Sequence, residues 1–149
     1  MEQNQLFFLA QRAQHSLSKL GDKVFQQEVG VSAAHLAALF YLIRNNNCLL
    51  KDLSAGLDLN NSAVTGLVRR MEAAGLVVKS ACDNDGRAFR VTITEKGLAA
   101  TNSADPVVEK ISHLLTSDFS ETEMNTVLRF FATIVAVKEV EQGAFLGSF

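Results

Sequence analysis

Apolar positions recur at helical spacing along most of this chain, and the period changes in only one place. From about Gln3 to about Gln27, Leu6, Leu9, Ala13, Leu17, Leu20 and Val24 stand three or four residues apart, the stripe of a helix that packs along another long helix. Phe7, Phe8 and Phe25 lie beside that stripe, either widening one core face or offering a second apolar face to a partner subunit. Ser32 is placed to cap a second helix with Leu36, Leu39, Phe40 and Ile43 on its buried side, and Asn45-Asn46-Asn47 ends it. Leu50, Leu53 and Leu57 mark a short third helix, with Asp58-Leu59-Asn60 as the turn out of it.

The stretch from Asn60 to Gly97 organises the rest. Val64, Leu67, Val68 and Met71 recur at i, i+3, i+4 and i+7, so one face of a fourth helix is built to be buried. Ser62, Thr65, Gly66 and Arg69 repeat the same spacing on the opposite face, and these small or hydrogen-bonding residues let the backbone come close to a polar surface such as the edges of DNA bases. Asn60 or Asn61 supplies the N-cap, Asn61 and Ser62 sit where the positive end of the helix dipole would meet a phosphate, and Gly75 is the stop. Two β-branched strands follow, Val77 to Ala81 and Ala88 to Ile93, joined by a turn over Cys82-Asp83-Asn84-Asp85-Gly86-Arg87. An arginine at the tip of such a ribbon can reach a narrow minor groove while the helix lies in the major one.

Beyond Gly97 the pattern predicts a long helix towards Leu115, kinked or broken at Pro106. Ser120-Glu121-Thr122-Glu123 is a capping box, followed by Met124, Val127, Leu128, Phe131, Ile134 and Val135 on one face. Phe130, Val137, Phe145 and Leu146 fall outside that face, leaving more apolar surface than the end of a small lobe can use. The first and last helices are therefore expected to interleave with those of a twin chain, against the plainer alternative of a helix buried all round.

Composition narrows the class. At 149 residues and 48% hydrophobic, the chain reads as one domain with a real core. No apolar run approaches a membrane-spanning length and the N-terminus has no export signal, so a cytoplasmic location is expected. Cys48 and Cys82 are far apart and form no CxxC pair, which fits a reducing compartment. The net charge of −2 argues against indiscriminate nucleic-acid binding, but the 60–97 stretch holds six cations against four carboxylates.

Three motifs carry a resemblance. Met71-Glu72-Ala73-Ala74-Gly75-Leu76-Val77, Asp85-Gly86-Arg87 and Ile93-Thr94-Glu95-Lys96-Gly97 stand in the order and spacing of the MarR family of bacterial transcription regulators, which this chain resembles along its whole length. The resemblance implies a mainly α fold with a small β-hairpin wing (α+β). It implies a winged helix-turn-helix lobe over about 32–97 and dimerisation helices over about 3–27 and 98–146, in a single domain 1–149. It further implies a homodimer that places two recognition helices in successive major grooves of an inverted-repeat operator, with repression the commoner outcome. Within it, Asn61, Ser62, Ala63, Thr65, Gly66 and Arg69 are expected to face the major groove. Arg70 is ambiguous, lying at the edge of the buried face where it can pair with Glu72 or a wing acid. Arg87 is expected in the minor groove with its guanidinium held by Asp85, and Lys79 stands at the foot of the wing. Small phenolic or other apolar effectors would meet Phe8, His15, His35, Phe40, Tyr41 and Arg44, although packing or surface roles for these six are the commoner case.

Departures from the family pattern leave the operator sequence unreadable. Gly66 stands where a longer side chain is frequent, Asn61 where proline is frequent, Lys79 in place of an arginine and Cys82 where an acid is usual. An alternative reading is a winged-helix protein-interaction module that no longer reads DNA. Catalysis is not expected, since the chain has no phosphate-binding glycine loop, HExxH or nucleophile elbow, and nothing calls for a cofactor. His15, His35 and His113 have no ligand spacing, so no metal site is expected.

Overall fold

The computed structural model describes residues 3–137 and divides after Glu109 into two compact units. The elements in chain order are α1 (Gln3–Glu28), α2 (Ala33–Arg44), β1 (Cys48–Leu49), α3 (Leu50–Gly56), α4 (Asn61–Ala73), β2 (Val77–Cys82), β3 (Asp85–Ile93), α5 (Glu95–Thr116) and α6 (Glu121–Ala136). It is a mainly helical fold with one small antiparallel sheet, in the order β1-β3-β2.

In the first unit, α2, α3 and α4 close on the base of the sheet. Leu39, Leu42, Leu53 and Met71 are fully buried there, joined by Val64, Val68, Leu76 and Val91. Each large side chain so buried contributes about 1.5–3 kcal/mol relative to exposure. The buried face of α2 is centred on Leu36, Ala38, Leu39 and Leu42, whereas Ile43, expected inside, is 47% exposed. The helix turns Leu42 into the core cluster, and that rotation leaves Ile43 on the exposed side. On α1, Leu6, Phe7, Phe8, Leu9 and Leu17 are exposed, so the N-terminal part of its apolar stripe has little cover among the described residues.

The sheet has one more strand than the periodicity predicts. β1 is only two residues, too short to show a period, and it pairs Cys48 with Val91 and Leu49 with Arg90. The hairpin strands are also longer than expected: Cys82 closes β2 and Asp85 opens β3, so Arg87 lies on a strand, and the turn narrows to Asp83-Asn84.

α5 runs unbroken through Pro106, where a break or kink is predicted. Proline deletes one amide donor, but Thr101, Ala104 and Val107 are buried on one side of it, and that packing keeps both halves in one helix. α5 enters the second unit, which also holds α6. There Ser120 and Glu123 form the expected capping box, each bonded to the other's backbone. No residue of α6 is buried, and Leu128, Phe131, Ile134 and Val135 are all exposed, unlike a helix buried all round. Phe145 and Leu146 lie outside the described residues. Among the described residues no helix is long and apolar enough to cross a membrane.

Candidate nucleic-acid interface

Helix α4 starts where its chemistry demands. Asn60, not Asn61, is the N-cap: its Oδ1 accepts from the amide of Ala63 at 2.8 Å. Asp58 precedes it at φ 55°, a left-handed position that aspartate tolerates better than most residues, and it turns the chain out of α3. Gly75 ends α4 at φ 74°.

The two faces of α4 separate cleanly. Val64, Leu67, Val68 and Met71 are buried, while Asn61, Ser62, Ala63, Thr65, Arg69 and Arg70 are exposed and Gly66 half-exposed. Thr65 donates its hydroxyl to the carbonyl of Asn61 at 2.7 Å, so its oxygen remains available to a partner only as an acceptor. That suits a base amino group and not a phosphate. Ser62 and Arg69 make no side-chain bond among the described residues. Arg70 lies back over Gly66, its Nη1 3.4 Å from where a Cβ would stand there. Its expected partner Glu72 instead accepts the amide of Lys79 at 3.1 Å, and the charge of Arg70 is felt by His35. Burial first, then Arg70, lowers the pKa of His35 below the ordinary histidine value.

Arg87 is carried on a bulge. Ala81 opposes Phe89 and Cys82 opposes Asp85, so Gly86, Arg87 and Ala88 have no partner on β2 and form the bulge. Asp85 shapes this bulge differently from expectation. Its Oδ1 accepts the backbone amide of Arg87 at 3.0 Å, because an Asp reaches the amide two residues on more readily than a long guanidinium folds back to it. The exposed guanidinium pairs with no carboxylate among the described residues. Lys79 is less free, its ammonium 4.7 Å from the centre of the Phe89 ring.

A groove of about 610 Å³ lies between the hairpin, β1 and the start of α4, lined by Asn61, Lys51, Arg87 and Arg90 with Leu49, Leu50 and Phe89 beneath and Cys82, Asp83 and Asp85 on the hairpin side. Lys51, Phe89 and Arg90 were not singled out by sequence. Only the folded sheet brings them beside Asn61.

The Thr94–Gly97 motif ties this interface to α5. Thr94 donates from Oγ1 to the carbonyl of Gly75 at 2.7 Å and accepts the amide of Gly97 at 3.1 Å. Lys96 Nζ donates to the carbonyl of Ala74 at 2.7 Å, a cation on the last turn of α4.

The six residues considered for an effector are dispersed in role. Phe8 lines a recess of about 400 Å³ that contains none of the other five. Tyr41 lies flat on Gly56 and donates its hydroxyl to the carbonyl of Asp52 at 3.2 Å. Phe40 packs on the core, His35 is half-buried, and His15 and Arg44 are exposed. Of the cysteines, Cys48 has its thiol pKa raised, by burial first and then by Asp52, which disfavours the reactive thiolate.

Comparison with known proteins bears on this geometry. The family model described as MarR family matches residues 29–88. The transcriptional activatory protein BadR of Rhodopseudomonas palustris is 28% identical over 146 residues, 95% of this chain and 83% of BadR. Sco3205 of Streptomyces coelicolor, a MarR family regulator solved in complex with DNA, superposes with a TM-score of 0.83 at 19% identity, covering 95% of this chain and 90% of that one. BpsR of Bordetella bronchiseptica, whose DNA binding is regulated by 6-hydroxynicotinic acid, gives a TM-score of 0.75 at 23% identity, over 88% of this chain and 98% of that one.

Proposed function

We propose that this chain, which matches the MarR family model over residues 29–88, is a winged helix-turn-helix transcription regulator of that family and works as a homodimer reading an inverted-repeat operator in double-stranded DNA. The observation that carries the reading is the outward face of α4, free of long side chains from Asn61 to Gly66, set beside an exposed arginine on the bulge of the adjoining hairpin. In this assignment Asn61, Ser62, Ala63, Thr65 and Gly66 approach the major groove and Arg69 and Arg70 supply cations at its edge. Asp85 shapes the loop that sends Arg87 into the minor groove, and Lys79 braces the foot of the wing.

Two further parts of the proposal rest on the surface and on the relatives. The exposed apolar residues of α1 and α6 supply the dimer's contact surface. A small aromatic or phenolic acid is the class of effector, supported by the regulation of BpsR by 6-hydroxynicotinic acid. Binding over a promoter represses by excluding polymerase. BadR is by name an activatory protein, so a reporter assay reads the sign for this chain.

Fluorescence anisotropy on DNA from upstream of its own gene, titrated with salt, tests the reading. Wild-type protein should prefer one inverted repeat, and Arg87→Ala should lose about 1–3 kcal/mol of binding to it. Unchanged affinity at moderate salt removes Arg87 from the interface, and weak binding equal on all sequences moves the search to a protein partner.

A further inference from the structure

We propose that the asparagine turn between α2 and β1 is a clamp that sets the pitch of the hairpin, making Asn46 and Arg90 positioning residues for Arg87. The inference rests on the DNA-facing role given to Arg87 above. Strand β3 is nine residues long, and on the edge opposite β2 it is covered by only two pairs with β1. A ladder that short holds a strand's direction poorly.

The asparagine turn extends it. Asn46 Oδ1 accepts the amide of Ile93 at 3.0 Å, adding a rung to the ladder with a side-chain oxygen in place of a backbone carbonyl. The same oxygen accepts the amide of Asn47 at 2.9 Å, which stiffens the turn itself. From the same strand, Arg90 Nη1 donates to the carbonyl of Asn47 at 2.7 Å. Asn47 stands at φ 57°, a left-handed conformation that asparagine adopts more readily than most residues, so the turn can present its carbonyl and its neighbour's side chain to β3 together.

The consequence is a lever. β2 pairs with β3 from Ile93 to Phe89 and again at Asp85, while β1 and the clamp hold its other edge only from Ile93 to Arg90, and Arg87 lies in the unpaired bulge three residues, about 10 Å of strand, beyond Arg90. A small rotation at the base is magnified at the bulge. Asn45 donates both its amide and its Nδ2 to the carbonyl of Tyr41, at 3.0 and 3.1 Å, so the clamp is continuous with the last turn of α2. The hairpin's direction therefore follows α2. Arg90, one of the six cations of the 60–97 stretch, has its guanidinium committed to the clamp.

A double-mutant cycle with an independent probe tests this. Operator affinity is measured for wild type, Asn46→Ala, Arg87→Ala and the double variant. Asn46→Ala should weaken binding about tenfold in the wild type and less than about twofold when Arg87 is already gone, the coupling of two residues acting through one contact. Equal loss in both backgrounds, or none in the first, overturns the proposal. Amide exchange followed by NMR needs no DNA: Asn46→Ala should speed exchange at Ile93 and alter the amide signals of Gly86 to Ala88, while Leu67 and Val68 in α4 stay as they were. Unaltered hairpin amides overturn the clamp whether or not the protein binds DNA, whereas altered amides in a protein that binds no operator keep the clamp and remove the proposed function. If Asn46→Ala does not fold, Arg90→Ala enters the same cycle and the same exchange measurement, with the same outcomes deciding.

Discussion

Gly97→Ala adds one methyl group to the first turn of α5. A Cβ there would press into the carbonyl of Leu76 and stand 2.8 Å from Ile93 Cγ1 and 3.0 Å from Leu39 Cδ2. None of these neighbours yields easily. The Leu76 carbonyl already accepts the amide of Thr94 at 3.1 Å, and Leu39 is wholly buried in the core. Overpacking of this kind costs about 1–3 kcal/mol, and a backbone atom among the obstacles places Gly97→Ala at or above the upper end. Alanine's better helix propensity returns at most about 1 kcal/mol, leaving a net loss of about 2–3 kcal/mol. For a chain of this size that lowers the melting temperature by roughly 5–10 °C. Circular dichroism during heating reads the shift, with Gly86→Ala as control because nothing lies within 4 Å of a Cβ there. A fall of less than about 2 °C for Gly97→Ala would refute the argument that close approach, and not backbone freedom, requires glycine at this position.

Other outcomes follow from the same geometry. Gly66→Ala meets only the flexible end of Arg70, so it should raise stability by about 1 kcal/mol in thermal melts while weakening operator binding in anisotropy; undiminished affinity would show that DNA does not approach that face closely. His35 has a lowered pKa in the folded chain, so below pH about 6.5 the unfolded chain takes up the proton first and stability falls as pH drops through the folded value. His35→Gln should shrink the difference between urea midpoints at pH 7.5 and 5.5, and an unchanged difference would assign that pH dependence elsewhere. On α6, Phe131→Asp places a charge in the exposed apolar face and should convert the proposed dimer to monomer by light scattering after size exclusion; a dimer that persists would locate its interface away from α6.

Helix α4 was legible in sequence because its signals are local. Val64, Leu67, Val68 and Met71 declare a buried face at helical spacing, Asn60 caps the start, Gly75 ends it, and Ser120 with Glu123 marks α6 in the same way. Each of these patterns is complete within a few residues, so the chain by itself determines the helices and the two-faced character of α4. Tertiary structure decided what depends on distant pairing. Two residues of β1 show no period, and they become a strand only through Val91 and Arg90; the asparagine turn is likewise held by Arg90 and Ile93, 43 and 47 residues further along the chain. The bulge under Arg87, the amide role of Asp85, the exposure of Ile43 and the unbroken run through Pro106 likewise depend on register and packing. Helical periodicity records which face of an element is apolar; the direction that face turns, and the loop that braces a strand, are set by residues too far along the chain to leave a local pattern.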